Sequence, residues 1–169
     1  DKLRSTFNLD HDERVPRVAA DSAAPVRAVR RHDPPRNARQ NTRALIIDDS
    51  PTIVFALKKI LKSAGFITLE ALDAETGINL ARTVNPELIF LDIVLPGANG
   101  FAALRTLRKD PLTLNIPVIM ISGNEQATEL FFGSRIGADG FMKKPFSRDD
   151  VFAHIEPLLD EDLIPRRVA

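Results

Sequence analysis

Five polar residues of three chemical kinds lie at the ends of short apolar runs in this sequence. They are Asp48, Asp49, Asp92, Ser122 and Lys144. Three carboxylates that share one pocket repel one another, so either their pKa values rise or a cation binds. Carboxylate oxygens suit Mg²⁺, and an aspartate beside Mg²⁺ can act as a nucleophile on a phosphoryl group. The ammonium and hydroxyl groups can neutralise the oxygens of that group, so the residue types predict magnesium-assisted phosphoryl transfer.

The segments around these residues predict alternating strands and helices from residue 44 onward. Apolar runs predict strands at 44–48, 66–71, 88–92, 117–121 and 140–143. Amphipathic stretches predict helices at 51–64, 74–83, 101–109 and 125–136, and a last helix that Ser147 caps and that reaches residue 159. A loop that contains Pro96, Gly97, Asn99 and Gly100 is predicted after the third strand. Five such units favour a parallel sheet with helices on both faces.

The order of the strands decides whether the five polar residues meet. We predict an α/β fold, a doubly wound, flavodoxin-like (βα)5 sheet with strand order 2-1-3-4-5. In such a sheet, ligands bind beyond the carboxyl ends of the strands. Strands 1, 3, 4 and 5 are then neighbours, so all five side chains are expected to converge on one pocket.

Composition and charge narrow the classes of protein further. The 169 residues include 23 basic and 23 acidic ones, so no whole-chain basic character points to direct nucleic-acid binding. Cysteine is absent, which excludes disulfides and thiolate metal sites and fits a cytoplasmic location. No apolar run approaches the roughly 20 residues that cross a bilayer. We therefore expect no membrane span.

The amino-terminal part of the sequence differs in composition from the rest. The first 43 residues carry ten basic residues, six acidic residues and four prolines, and their apolar residues are mostly Ala and Val. Such a segment buries too little apolar surface to offset its ordering entropy. We predict a flexible basic extension or linker over 1–42, with a transient helix around 18–24. The folded domain is predicted at 43–160, followed by a short tail at 161–169.

Four motifs in order resemble those of a response-regulator receiver domain of the chemotaxis type, over about residues 43–159. They are L-I-I-D-D-S at 45–50, L-D at 91–92 with Pro96 and Gly100, I-S-G at 121–123, and G-A-D-G-F-M-K-K-P-F at 137–146. Asp49, Asp92, Ser122 and Lys144 are separated in turn by 43, 30 and 22 residues, as such domains require. The resemblance implies a switch in a two-component phosphorelay rather than an enzyme acting on other substrates.

The resemblance also implies roles for the polar residues. Asp92 would accept a phosphoryl group from a sensor histidine kinase or a histidine phosphotransfer domain. Asp49 and Asp92 would bind Mg²⁺ directly, Asp48 mainly through water, and Val94 through its backbone carbonyl. Lys144 would contact the phosphoryl group.

The signal would be passed on by a second set of residues. Ser122 and Phe141 would form a switch pair that changes the binding of a downstream protein target. Phe141 stands where many chemotaxis receivers carry Tyr, so the contacts of a tyrosine hydroxyl are lost. Gly123 would leave room for phosphate, and the Lys144–Pro145 bond is expected to be cis.

Each of these residues, taken alone, also has a simpler interpretation. Asp48 and Asp49 alone could favour a helix start, Lys144 alone could be a solvated charge, and Phe141 alone could be a core ring. A magnesium-dependent phosphohydrolase of the haloacid-dehalogenase type also uses an aspartyl phosphate, but its D-x-D motif follows the first strand. The domain could also serve as a docking module only. With ten residues after Leu159, we expect either a stand-alone receiver, as in chemotaxis or pilus twitching, or part of a longer protein.

Overall fold

A computed structural model describes residues 36–133 and 137–168 of the protein. Its strands are β1 (Arg43–Ile47), β2 (Ile67–Ala71), β3 (Leu88–Asp92), β4 (Val94–Leu95), β5 (Ala98–Asn99), β6 (Val118–Ser122) and β7 (Gly140–Lys143). Five of them form a parallel sheet in the order β2-β1-β3-β6-β7, and β4 and β5 form a separate antiparallel pair. The predicted fold and the predicted strand order are confirmed.

Among the described residues, four helices connect these strands and a fifth follows the last strand. They are α1 (Pro51–Ser63), α2 (Ala74–Val84), α3 (Gly100–Lys109), α4 (Glu125–Gly133) and α5 (Arg148–Ile155), and a 3-10 turn, Glu156–Leu158, follows α5. The last helix ends earlier than predicted because Pro157 follows it, and a proline ring inside a helix clashes with an earlier carbonyl. The final three residues of the helix predicted at 125–136 lie outside the described residues.

Two apolar layers enclose the sheet. Along β1, Ala44 and Ile46 belong to one buried cluster, whereas Leu45 and Ile47 belong to the other. The strands β1, β3 and β6 are therefore continuous apolar runs, as expected for a parallel sheet that is covered on both faces. This burial fixes the strand ends at which the polar residues stand.

The loop predicted between the third strand and the third helix is wrong in part, because two short segments within it pair as a hairpin. Val94 pairs with Asn99, and Leu95 pairs with Ala98. The connecting turn contains Gly97, whose φ is 68°. Strands of two residues are too short to show an alternating pattern in the sequence, which is why the prediction missed them.

Residues just before β1 contact the chain after α5. The Arg36 guanidinium donates to the Asp160 carbonyl at 2.7 Å, and the Arg39 amide donates to the Leu163 carbonyl at 3.0 Å. Ala38 is buried in the core cluster beside α1 and α5. The domain boundaries at 43 and 160 stay predictions, and these contacts lie on their outer sides. Residues 1–35, including the helix predicted around 18–24, lie outside the described residues.

The carboxyl-terminal segment is anchored on a buried aspartate. Asp139 Oδ1 accepts hydrogen bonds from the Val168 amide at 2.8 Å and from Arg167 Nε at 3.3 Å. Asp139 Oδ2 accepts from Arg108 at 2.9 Å, which ties the end of α3 to the residue before β7. The segment thus contributes two hydrogen bonds to a carboxylate that is 1% exposed.

Truncations test the boundaries of the folded unit. Removal of residues 1–35 should leave the melting temperature unchanged if the predicted extension is correct. Removal of 1–42 should lower the free energy of unfolding by about 1–3 kcal/mol, because Ala38 burial and the Arg39 hydrogen bond are lost. Removal of 161–169 should have an effect of similar size through Asp139.

The measurement is urea unfolding followed by circular dichroism, since the chain has neither Trp nor Tyr. Equal stability of the 36–169 and 43–169 proteins would contradict the role assigned to Ala38 and Arg39.

Candidate functional site

Two aspartates at neighbouring strand ends are oriented by the same kind of turn. Asp48 follows β1, and its Oδ1 accepts a hydrogen bond from the Ser50 amide at 2.9 Å. Asp92 ends β3, and its Oδ1 accepts from the Val94 amide at 3.1 Å. In both cases the donor lies two residues further on, the geometry of an Asx turn. In each carboxylate, Oδ1 is therefore held by the backbone amide two residues later, and Oδ2 is left for other contacts.

The second oxygens of both aspartates meet the ammonium group of Lys144. Lys144 Nζ lies 2.9 Å from Asp48 Oδ2 and 3.2 Å from Asp92 Oδ2. Asp48 is fully buried, and Asp92 is only 4% exposed. The contact with Asp92 is a hydrogen bond, whereas the contact with Asp48 is an ion pair without hydrogen-bond geometry. Asp48 Oδ2 is thus a buried anionic oxygen that still lacks a hydrogen bond.

A third carboxylate completes an oxygen cluster at this edge of the sheet. One oxygen each of Asp48, Asp49 and Asp92 lie within 4.8 Å of one another. Asp49 is exposed, so the cluster opens to solvent on its side. Three acids face a single ammonium group, which leaves an excess of negative charge. Hard oxygen donors, excess negative charge and the buried Asp48 oxygen without a hydrogen bond fit a small divalent cation such as Mg²⁺.

Burial and the surrounding charges shift the pKa values of the site. Burial raises the pKa of Asp92 to about 6, and the negative charge of Asp48 adds to this rise against the opposing effects of Lys144 and the Val94 amide. Burial alone lowers the pKa of Lys144, but its contacts with Asp48 and Asp92 outweigh burial, so the pKa of Lys144 is raised. Lys144 is therefore held as a cation between the two acids.

Ser122 stands at the end of β6, beside Lys144. Its Oγ accepts a hydrogen bond from the Asn124 amide at 3.0 Å, which repeats the turn found at the two aspartates. Ser122, Gly123 and Lys144 line one small cavity of about 120 Å³. A Cβ atom added to Gly123 would lie 3.4 Å from the Lys144 Cβ, so a side chain there would crowd the lysine stem.

Phe141 lies on β7, the strand that Lys144 directly follows, and its ring belongs to an aromatic group with Phe131 and Phe132. The ring centroids of Phe141 and Phe131 are 4.8 Å apart, and those of Phe141 and Phe132 are 5.4 Å apart. Phe132 is 71% exposed, so the group reaches the surface. The Lys144–Pro145 peptide bond, expected to be cis, is cis.

The structure thus brings Asp48, Asp49, Asp92 and Lys144 together, with Ser122 beside them. The predicted metal contact through the Val94 carbonyl stays a prediction, although the Val94 amide already contacts Asp92. The hairpin formed by β4 and β5 was missed, and the Pro-Gly pair at 96–97 was the only signal for it in the sequence. Among the described residues, no helix is long and apolar enough to cross a membrane.

Comparison with known proteins agrees with this geometry. Residues 44–156 match the response regulator receiver domain family. The protein PilH of Pseudomonas aeruginosa is 39% identical over 117 residues, which cover 69% of this chain and 97% of PilH. A putative response regulator from Chloroflexus aurantiacus has a similar structure, with a TM-score of 0.64 and 26% identity over 70% of this chain and 97% of that one.

The chain belongs to the response regulator receiver domain family of two-component signalling. Members of this family are signalling switches that bind Mg²⁺ at an acidic site and interact with kinases or phosphotransfer proteins. Many other curated relatives are longer. The master transcriptional regulator RpaA of Synechocystis, for example, is 38% identical over 125 residues, which cover 73% of this chain and 52% of RpaA. The chain spans about half the length of such relatives.

The raised pKa of Asp92 leads to a prediction for the metal-free protein. The pKa is about 6 in the folded protein against an ordinary value of 3.8, so the folded chain binds this proton more tightly. Ionised Asp92 therefore destabilises the fold increasingly as the pH rises between these two values. Asp92→Asn should raise the free energy of unfolding by roughly 1–3 kcal/mol above about pH 7. This gain should shrink as the pH falls towards about 4.

Urea unfolding of both proteins across this pH range, in the presence of a chelator, measures the effect. Asp73→Asn is the control, because the Thr76 amide lowers the pKa of the exposed Asp73 and this variant should gain nothing. A gain for Asp92→Asn that stays constant with pH would show that Asp92 does not carry the destabilising charge.

Proposed function

We propose that this protein is a phosphorylation-activated switch in which Asp92 accepts a phosphoryl group from a histidine kinase or a histidine phosphotransfer protein. The observation that carries the proposal is the position of Lys144 between the second oxygens of Asp48 and Asp92. A single ammonium group directed at the nucleophile can also bind the oxygens of an incoming phosphoryl group. Asp92 is the most central of the acids in the sheet, at the end of β3.

Different residues would have separate roles in the phosphoryl transfer. Asp48, Asp49 and Asp92, with the Val94 carbonyl, would hold Mg²⁺, which when bound neutralises negative charge on the phosphoryl group. The Val94 amide would keep Asp92 in one rotamer by holding its Oδ1. Lys144 would bind a phosphoryl oxygen, and its raised pKa keeps it protonated for this contact.

The signal would leave the site through β6 and β7. The Ser122 hydroxyl would donate a hydrogen bond to an oxygen of the new phosphoryl group, and Phe141 would adjust its packing in response. Phe141 contacts Phe131 and the exposed Phe132, so a change in its ring would alter the surface between α4 and β7. That surface includes a cavity of about 340 Å³ lined in part by Phe132, Phe141 and Pro145. A downstream protein target would read this change.

The phosphohydrolase alternative gains no support. Its D-x-D signature would have to be Asp160-Glu161-Asp162, but the Asp160 carboxylate accepts hydrogen bonds from its own segment, including Arg166 Nε at 2.7 Å. The cytoplasmic location expected from the sequence stays a prediction.

Replacement of Asp92 tests the proposed acceptor. The parent protein incubated with Mg²⁺ and radiolabelled acetyl phosphate should take up about one hydroxylamine-sensitive label per chain. Asp92→Asn should reduce this label at least about a hundredfold, because the amide retains the shape but loses the nucleophile. Asp149→Asn, which changes an exposed aspartate on α5, should label like the parent. Stoichiometric labelling of the Asp92→Asn protein would refute the assignment.

The lifetime of the phosphorylated state gives a further prediction. By resemblance, the residues two after Asp92 and two after Ser122 flank the path of the attacking water, and they are Val94 and Asn124. Val94 is 52% exposed but apolar, and the Asn124 side-chain oxygen already accepts the Ala127 amide at 2.9 Å. Only Asn124 can bind a water, so self-dephosphorylation should be slower than in a variant with polar residues at both positions.

Val94→Asn should accelerate phosphate release severalfold, since a polar side chain can orient the water in the transition state. The rate is followed as inorganic phosphate after removal of the donor, with Mg²⁺ present. Leu112→Asn changes a residue of similar exposure that lies in no part of the site, and it should leave the rate unchanged. A Val94→Asn rate equal to or below that of the parent would contradict this account of the lifetime.

A further inference from the structure

The backbone of Val94 makes two contacts, one with the Asp92 side chain and one within the β4–β5 hairpin. Its amide donates to Asp92 Oδ1 at 3.1 Å, and the residue pairs with Asn99 in the β4–β5 hairpin. Its side chain is half exposed and does not anchor it. Backbone contacts therefore hold Val94, through its pairing in the hairpin and through the preceding residue, whose amide donates to the Ile121 carbonyl at 3.0 Å.

The hairpin itself is attached to the residues that carry the phosphoacceptor. The Gly100 amide donates to the Ile93 carbonyl at 2.6 Å. A Cβ atom at Gly100 would lie 2.3 Å from the Asp92 carbonyl oxygen and 2.8 Å from the Ile93 Cα. Such distances exclude any side chain at this position without movement of the backbone behind Asp92.

Buried side chains and a helix cap hold the other parts of the hairpin. Ile93 and Leu95 are buried in the core cluster that also contains residues of α3. The Asn99 side chain accepts the Ala102 amide at 2.8 Å and so caps α3. Gly97 closes the turn with φ at 68°, and no atom lies within 4 Å of the position of a Cβ there.

From these contacts we infer that the β4–β5 hairpin is the positioning element of Asp92, and that the left-handed turn at Gly97 sets its geometry. The hairpin fixes the Val94 amide, the amide holds Asp92 Oδ1, and Oδ2 is thereby directed at Lys144. Gly97 is a positioning residue that touches neither the acids nor Lys144. The inference deepens the proposed function and rests on Asp92 as the phosphoacceptor.

Variants at Gly97 separate turn geometry from side-chain contact. Gly97→Val strains the positive φ although its Cβ has no atom within 4 Å beyond the adjoining residues, whereas Asn adopts this conformation readily. Gly97→Val should slow phosphorylation of Asp92 by acetyl phosphate about tenfold or more, because small misplacements of reacting groups are costly. Gly97→Asn should stay within about twofold of the parent. Gly133→Val places the same side chain in open space on α4 and should not change the rate.

A second readout does not depend on phosphorylation. In the metal-free protein, hydrogen exchange of the Val94 amide measured by NMR should be about tenfold faster in Gly97→Val than in the parent. It should be unchanged in Gly97→Asn. If Gly97→Val does not fold, Gly97→Ala imposes the same demand on φ with a smaller side chain and replaces it in both measurements.

Two results would overturn the inference. One is a Gly97→Val protein with fast Val94 exchange that is phosphorylated at the parental rate. The other is a Gly97→Asn protein that is as slow as Gly97→Val, since the turn geometry would then be irrelevant. Failure of the proposed function gives a different result, because label would persist in Asp92→Asn while Val94 exchange still responded to Gly97.

Discussion

The contact of Lys144 with two buried aspartates is the interaction on which the rest of this structure depends. Burial of Asp48 and Asp92 removes both carboxylates from water, a cost that only a close cation and hydrogen bonds can offset. Lys144 supplies the cation, and the amides two residues after each aspartate supply the hydrogen bonds. One positive charge does not balance three acids. The site therefore favours the uptake of further positive charge.

The apolar layers of the sheet make this arrangement possible. The strands β1, β3 and β6 are almost entirely buried and hold the ends from which Asp48, Asp92 and Ser122 extend. All three side chains use the same turn to a backbone amide two residues later. Repetition of one local turn at three neighbouring strand ends orients these side chains, and the contacts of Lys144 then join Asp48 and Asp92 across the sheet. The buried strands and the short turns that follow them fix the positions of these three side chains.

Strand β7 links the chemistry of the site to a surface. Lys144 directly follows this strand of four residues, and Phe141 lies within it. A change in the contacts of Lys144 and Ser122 therefore acts beside a ring that touches Phe131 and the exposed Phe132. At the other end of the strand, Asp139 binds Arg108 and Arg167 and fixes where β7 begins. Contacts of Asp139 hold the start of the strand, and Lys144 stands directly after its end.

The sequence alone determined the fold and the composition of the site. Five short strand-forming runs separated by amphipathic stretches permit few arrangements, and the strand order then places Asp48, Asp92, Ser122 and Lys144 on one edge. Helix starts such as Ser50 and Ser147 were also predictable, because capping is local chemistry.

Only the tertiary structure decided how the acids are oriented and what holds them. The ion pair of Lys144 with Asp48 joins residues that are far apart in the sequence. No local sequence pattern encodes the distance between their charged atoms. The β4–β5 hairpin could not be predicted because its strands have two residues each. The need for glycine at position 100 follows from the closeness of the Asp92 carbonyl oxygen, which only the folded structure shows. The contacts of Arg39 with Leu163 and of Arg167 with Asp139 were equally invisible. Sequence patterns record local periodicity and capping, whereas these features depend on atoms that meet only after the chain has folded.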